Sequence, residues 1–176
     1  MKTRYRHSDP MVVIIGPMGA GKSTVGRRLA KQLGVDFVDL DREIENETAS
    51  SIVEIFATHG EGEFRRLETA MLKRYSDATG IVVSTGGGAI LSSENRQIMR
   101  KSLVVYLNAK PVQQYERVKN RKHRPNLDPQ RPLERLTELM EIREPLYRKE
   151  ADFTVHTDSK PVGRVVELIE NYLLNT

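Results

Sequence analysis

Residues 11–24 read MVVIIGPMGAGKST. Met11–Ile15 is a short, β-branched apolar run between Pro10 and Gly16, the signature of a buried strand. Gly16 to Ser23 spells G-x-x-x-x-G-K-[ST] in full. From Lys22 onward, Val25, Leu29 and Leu33 recur at four-residue spacing, one face of a helix that Gly34 closes. Strand, glycine loop and helix together form a phosphate cradle. The glycines turn backbone N–H groups inward around an anion, and the helix N-terminus adds partial positive charge. Lys22 can reach the terminal phosphates and the Ser23 hydroxyl can ligate Mg²⁺. Gly19, Ala20, Gly21, Lys22, Ser23 and Thr24 are therefore the expected contacts of a nucleoside triphosphate, ATP or GTP.

The flanking chain continues the same alternation. Asp36–Asp39, Ile81–Ser84, Leu103–Leu107 and Phe153–His156 read as further strands. Helices are expected over 42–48, 51–58, 63–77, 94–101, 111–118, 133–147 and 162–174, with residues 59–62 as a break. Pro111 suits the first turn of its helix, and residues 119–132 read as an exposed loop. Five short strands alternating with helices predict an α/β fold, a parallel sheet covered on both faces. Ligands in such sheets sit beyond the carboxyl ends of the strands, where Gly16, Asp39 and Gly86 all fall.

The 176 residues, with 38% hydrophobic and 30% charged, suit one globular domain over residues 11–176, led in by a basic, polar, loosely ordered segment over residues 1–10. That segment does not read as a secretory signal, and no apolar run is long enough for a transmembrane helix. The absence of Cys excludes a disulfide scaffold, a thiol nucleophile and thiolate-bound zinc, and fits a cytoplasmic protein. The four His residues show no ligand spacing. The net charge is +4, yet Arg117, Lys119, Arg121, Lys122, Arg124 and Arg131 stand against Asp128 alone. So local a basic run points to an anion site rather than to a nucleic-acid face.

Phosphoryl transfer calls for a carboxylate near the metal. The strand ending in Ser84-Thr85 offers none, so Asp39 and Asp41 are the candidates. Two residues apart at a strand end, they can share a face, one holding the waters of the metal and the other meeting a substrate hydroxyl. The plainer reading of Asp41 is a cap for a helix starting at Arg42. Arg65 and Arg66, and Arg143 on the late helix, present forks that match carboxylates. Gly86, Gly87 and Gly88 let a small ligand approach backbone donors closely. Together they favour a small acid carrying several hydroxyls.

These residues resemble those of bacterial shikimate kinases, small members of the nucleoside-monophosphate-kinase-like P-loop group. The resemblance rests on GPMGAGKST at 16–24, Asp-Leu-Asp at 39–41, Gly-Glu-Phe-Arg-Arg at 62–66, Ser-Thr-Gly-Gly-Gly at 84–88, Arg-Pro at 124–125 and Arg-Glu-Pro-Leu-Tyr at 143–147. It implies a five-stranded parallel sheet in the order 2-3-1-4-5, a P-loop kinase with a mobile lid over about 117–131. It also implies transfer of phosphate from ATP, with Mg²⁺, to the 3-hydroxyl of shikimate on the way to chorismate and the aromatic amino acids. By resemblance, Asp41, Arg65, Gly87, Gly88 and Arg143 hold shikimate, and Asp39 lies with Ser23 near Mg²⁺. Arg124 reaches nucleotide and substrate from the lid, making Asp41, Lys22 and Arg124 the catalytic set. Arg117 flanks the adenine, with Lys160–Pro161 on its other side. Where the family usually has Arg-Pro-Leu, this chain has Arg124-Pro125-Asn126-Leu127, an expected change of lid packing. A monomer taking only small-molecule substrates, with no nucleic acid and no membrane, is the expectation. The competing readings are a gluconate-type kinase, against which the Phe-Arg and Arg-x-Pro-Leu-Tyr patterns speak, and a non-catalytic module that responds to nucleotide or shikimate.

Overall fold

The computed structural model of the chain describes residues 5–121 and 127–176. Its centre is a parallel five-stranded sheet: β1 (Val12–Ile15), β2 (Asp36–Asp39), β3 (Ile81–Ser84), β4 (Leu103–Asn108) and β5 (Phe153–His156), in the order β2-β3-β1-β4-β5. The helices are α1 (Lys22–Leu33), α2 (Leu40–Thr48), α3 (Ile52–Arg74), α4 (Ser93–Met99), α5 (Pro111–Val118), α6 (Pro132–Glu150) and α7 (Val162–Leu174), with a 3₁₀ turn at Ala89–Leu91.

The central strand shows why the sheet needs two covers. All four residues of β1 are buried. Successive side chains point to opposite faces, so Val13 and Ile15 join one core with Leu40, Ile44, Ile55 and Leu72. Val12 and Ile14 join the other with Val25, Leu29, Val165 and Ile169 from α1 and α7. Each such side chain contributes about 1.5–3 kcal/mol by leaving water.

The register brings the loops together. Asp39 pairs with Ser84 and Ser84 with Ile14, so the phosphate loop, the start of α2 and the glycine turn after β3 emerge at one edge. The chain leaves β1 towards β2 and β3 on one side and reaches β4 on the other, which opens a crevice at that edge.

Several expectations change in detail. Helix α2 begins at Leu40, not Arg42, because Asp39 caps it, accepting from the N–H groups of Asp41 and Arg42. The plainer reading of Asp41 as that cap therefore fails. The expected break at residues 59–62 is a kink: α3 runs through, with Gly60 alone out of helical conformation (φ 81°, ψ 173°). Helix α6 takes in Pro132 at its first turn, where a missing N–H costs nothing. Over residues 5–10 the lead-in is docked rather than loose. Tyr5 is buried and donates to the Pro10 carbonyl, Pro10 bridges to Thr79, and His7 covers Gly80. An aromatic side chain with a local acceptor makes that docking favourable, which a reading by charge alone does not weigh.

Candidate active site

A cavity of about 890 Å³ runs along the edge where the loops meet, lined at one end by residues 18–25 and at the other by Asp41, Arg65, Glu68, residues 86–88 and Arg143. Gly21 caps α1 in the left-handed region (φ 90°, ψ 21°), and no side chain caps that helix. No acidic residue stands in its first turn either. Its N–H groups and its positive end are thus left to an external anion. The Lys22 ammonium donates to the Pro17 carbonyl at 2.8 Å, which folds it over the loop.

Ser23 and Asp39 form one unit. The Ser23 hydroxyl donates to Asp39 Oδ2 at 2.5 Å, while Asp39 Oδ1 accepts from the Asp41 N–H at 3.1 Å. A hydroxyl beside a carboxylate at the mouth of a phosphate loop is an all-oxygen donor set that suits Mg²⁺, which keeps most of its waters and takes few protein ligands. Among the described residues no group of three or more His, Cys, Asp or Glu forms a metal cage.

The glycine turn is where the charged side chains converge. A Cβ at Gly88 would lie 2.2 Å from Nη2 of Arg65; one at Gly86 would lie 2.8 Å from Oε2 of Glu68 and 3.1 Å from Oδ1 of Asp41; one at Gly87 would lie 3.4 Å from Nη1 of Arg143. A side chain at Gly86 or Gly88 would displace the groups that define the cavity, while one at Gly87 would meet Arg143 at ordinary contact distance. Arg65 is held by Glu68 at 2.9 Å and Glu61 at 3.1 Å, and lies over the Phe64 ring at 5.2 Å. Arg143 is buried and its Nε has no hydrogen-bond partner among the described residues. A buried guanidinium with donors to spare attracts an acid.

Glu68 was not singled out by the sequence. It is fully buried, and its Oε2 lacks a hydrogen-bond partner among the described residues. Burial pushes its carboxyl up to about 7, and the Arg65 guanidinium only partly offsets that rise. Its signal was its place three residues after Arg65, one helical step along the same face. Arg66 points elsewhere, exposed and paired with Glu63.

At the phosphate-loop end of the cavity, Arg117 donates to the Gly19 carbonyl and to the hydroxyl and carbonyl of Thr157. Through Nη1 and Nη2 it ties the phosphate loop to the β5–α7 connection. Lys160 and Pro161 line the cavity on that connection. The structure thus gathers the expected residues 19–24, Asp39, Asp41, Arg65, residues 86–88, Arg117, Arg143 and Lys160 into one crevice. Arg124 and Asn126 lie outside the described residues.

Known proteins match along most of the chain. A sequence model of the family described as shikimate kinase matches residues 18–173. The chain is 46% identical over 162 residues to the shikimate kinase of Thioalkalivibrio sulfidiphilus, covering 92% of this chain and 85% of that protein. It is 47% identical over 156 residues to that of Pseudomonas syringae pv. tomato, covering 88% and 91%. The solved structure of the shikimate kinase from Acinetobacter baumannii in complex with shikimate superposes with a TM-score of 0.93 at 39% identity, covering 96% of this chain and 95% of that one. Likeness of this extent, in sequence and in fold, shows that the chain belongs to the shikimate kinase family and is an enzyme, a kinase.

Proposed function

We propose that the chain transfers the γ-phosphoryl group of ATP to the 3-hydroxyl of shikimate, giving ADP and shikimate 3-phosphate for chorismate and aromatic amino acid synthesis. The observation that carries this reading is the pairing, in one crevice, of an uncapped phosphate loop with two guanidinium groups set against a glycine turn. The first suits a polyphosphate. The second suits a small carboxylic acid whose hydroxyls lie close to backbone. The shikimate bound to the Acinetobacter baumannii relative agrees in class.

The residues divide the work. Backbone N–H groups over residues 19–24 and the Lys22 ammonium hold the phosphates and meet the charge that develops on them. Ser23 and Asp39 are the residues that would hold Mg²⁺, which when bound would supply neutralising charge to the phosphate oxygens. Arg65 and Arg143 bind the acid group, with residues 86–88 admitting the ring. Asp41 accepts the hydrogen bond of the reacting hydroxyl and aims its oxygen at the γ-phosphate. Arg117 and Lys160 flank the base, and Arg124 comes over the phosphates from the basic segment over 117–131. The enzyme acts as a cytoplasmic monomer without nucleic-acid or membrane partners.

The test is ADP release by the purified chain with ATP and Mg²⁺ against shikimate, gluconate and other hydroxy acids side by side, beside sedimentation for the monomer. Turnover is expected with shikimate. Turnover with gluconate instead, or ATP binding without turnover on any acid, overturns the reading in favour of one of the two alternatives.

A further inference from the structure

Two of the largest fully buried side chains are tyrosines that stack on one another, Tyr106 of β4 and Tyr147 of α6, with ring centroids 5.0 Å apart and planes 25° apart. Their hydroxyls fare differently. That of Tyr106 has no hydrogen-bond partner among the described residues. That of Tyr147 donates to the Gly87 carbonyl at 2.5 Å, 60 residues away in sequence and inside the glycine turn.

Arg143 lies one helical turn before Tyr147 on the same face of α6. Its Nη1 would be 3.4 Å from a Cβ at Gly87, so the same turn of α6 brings both a guanidinium and a hydroxyl to the glycine turn. A carbonyl only accepts and an arginine only donates. The Tyr147 hydroxyl therefore spends its single proton on the Gly87 carbonyl. Burial raises the phenol far above its ordinary value, so that proton stays in place at any working pH. Between the two residues stands Pro145, which has no N–H to give the Glu141 carbonyl and so weakens α6 at this turn. Helix α6 is the element that begins directly after the basic segment, and the hydroxyl ties it to the turn after β3.

We propose that Tyr147 is a positioning residue for the acid substrate: its buried hydroxyl ties the Gly87 peptide to the turn of α6 that carries Arg143, and so keeps that peptide and the Arg143 fork in the fixed relation that a bound carboxylate and its neighbouring hydroxyls require. It acts through those two groups and does not touch the substrate. This rests on the proposed shikimate kinase activity.

Tyr147→Phe removes one oxygen and keeps the stacked ring. The Gly87 carbonyl then loses the donor that fixes it, and the acid substrate must itself order the glycine turn against α6 on binding, a cost of the size of one buried hydrogen bond, roughly 5- to 100-fold. The KM and the calorimetric Kd for shikimate should rise by that factor, while the KM for ATP and the Kd for ADP stay within about twofold. Tyr106→Phe, which deletes a hydroxyl with no partner from the same stack, should leave shikimate affinity unchanged. Shikimate affinity within twofold of wild type in a folded Tyr147→Phe protein overturns the proposal. So does an equal loss for both substrates, or a Tyr147→Phe protein without a cooperative melt, since the hydroxyl is then a determinant of folding. Failure of the underlying activity is read separately, as absence of shikimate turnover in the wild-type chain.

Discussion

Asp39 and Asp41 stand two positions apart and do different jobs. Asp39 spends Oδ1 on capping α2 and Oδ2 on Ser23, which leaves Asp41 as the carboxylate facing the glycine turn. Because α2 keeps its cap without it, Asp41→Asn should leave the melting curve nearly unchanged. Its turnover should fall by ~10²–10⁴-fold, the usual contribution of a positioned acid–base group, with ATP affinity retained. Steady-state kinetics beside a thermal melt checks both halves. Glu68 makes a different kind of prediction. Its carboxyl, ordinarily near 4.5, is pushed up to about 7 by burial. The folded protein thus holds that proton more tightly than the unfolded chain does. Its contribution to stability is full below about pH 4.5 and is lost as pH rises through about 7. Glu68→Gln removes that dependence. Melting temperatures taken from pH 5 to 8 should fall less steeply with pH in the variant than in the wild type; parallel curves would show that Glu68 does not titrate in this window.

The turn after β3 works as an element because its glycines leave room for side chains from α2, α3 and α6. Gly88→Ala tests that. The new methyl would collide with the Arg65 guanidinium, the far end of a flexible side chain, so Arg65 swings away and the backbone need not move. The Arg65–Glu68 pair is then broken while the sheet is untouched. The fold should survive, and the KM for shikimate should rise at least tenfold with the KM for ATP little changed. Calorimetry with shikimate and with ADP separates the two. Helix α1 carries the complementary lesson: its N-terminus has no side-chain cap and no acid in its first turn, so it is left incomplete until an anion arrives. Caps of this kind are worth about 0.5–2 kcal/mol to a helix, stability that α1 forgoes.

At the scale of the molecule, the phosphate-loop end of the cavity joins elements far apart in sequence, through Arg117 bridging Gly19 to Thr157. A ligand seated there should stabilise the whole domain. At ADP about 100-fold above its Kd, mass action adds about 2.7 kcal/mol, or an increase in Tm of about 5–11 °C for a chain of this size. Lys22→Ala should abolish most of that shift and collapse turnover while leaving the ligand-free melt in place. An unchanged ADP shift in the variant would remove Lys22 from phosphate binding. The phosphate loop, the strand alternation and the glycine turn were legible along the chain because they rest on local chemistry: glycine where backbone must approach an anion, periodicity of two or 3.6 where a face is buried, proline where a helix starts. Helix α1 and strands β2, β3 and β5 accordingly lie where periodicity and breakers put them. The order of the strands was reached only through resemblance, because pairing between distant segments leaves no local mark; Asp41, Arg65 and Arg143 could be grouped by their chemistry, but their meeting at one turn depends on that order. Glu68, Tyr147 and the docking of Tyr5 were not legible at all. A glutamate three residues from an arginine looks like any surface ion pair, and a tyrosine near the end of a helix like any core residue. Their roles come from burial and from partners on other elements: a carboxyl shut away from solvent, a hydroxyl aimed at a carbonyl 60 residues away, an aromatic ring joined to a core cluster. Local chemistry pointed to the phosphate loop; only packing, which sets solvent access and brings distant partners within hydrogen-bond reach, decided which carboxylate is buried and which hydroxyl reaches the glycine turn.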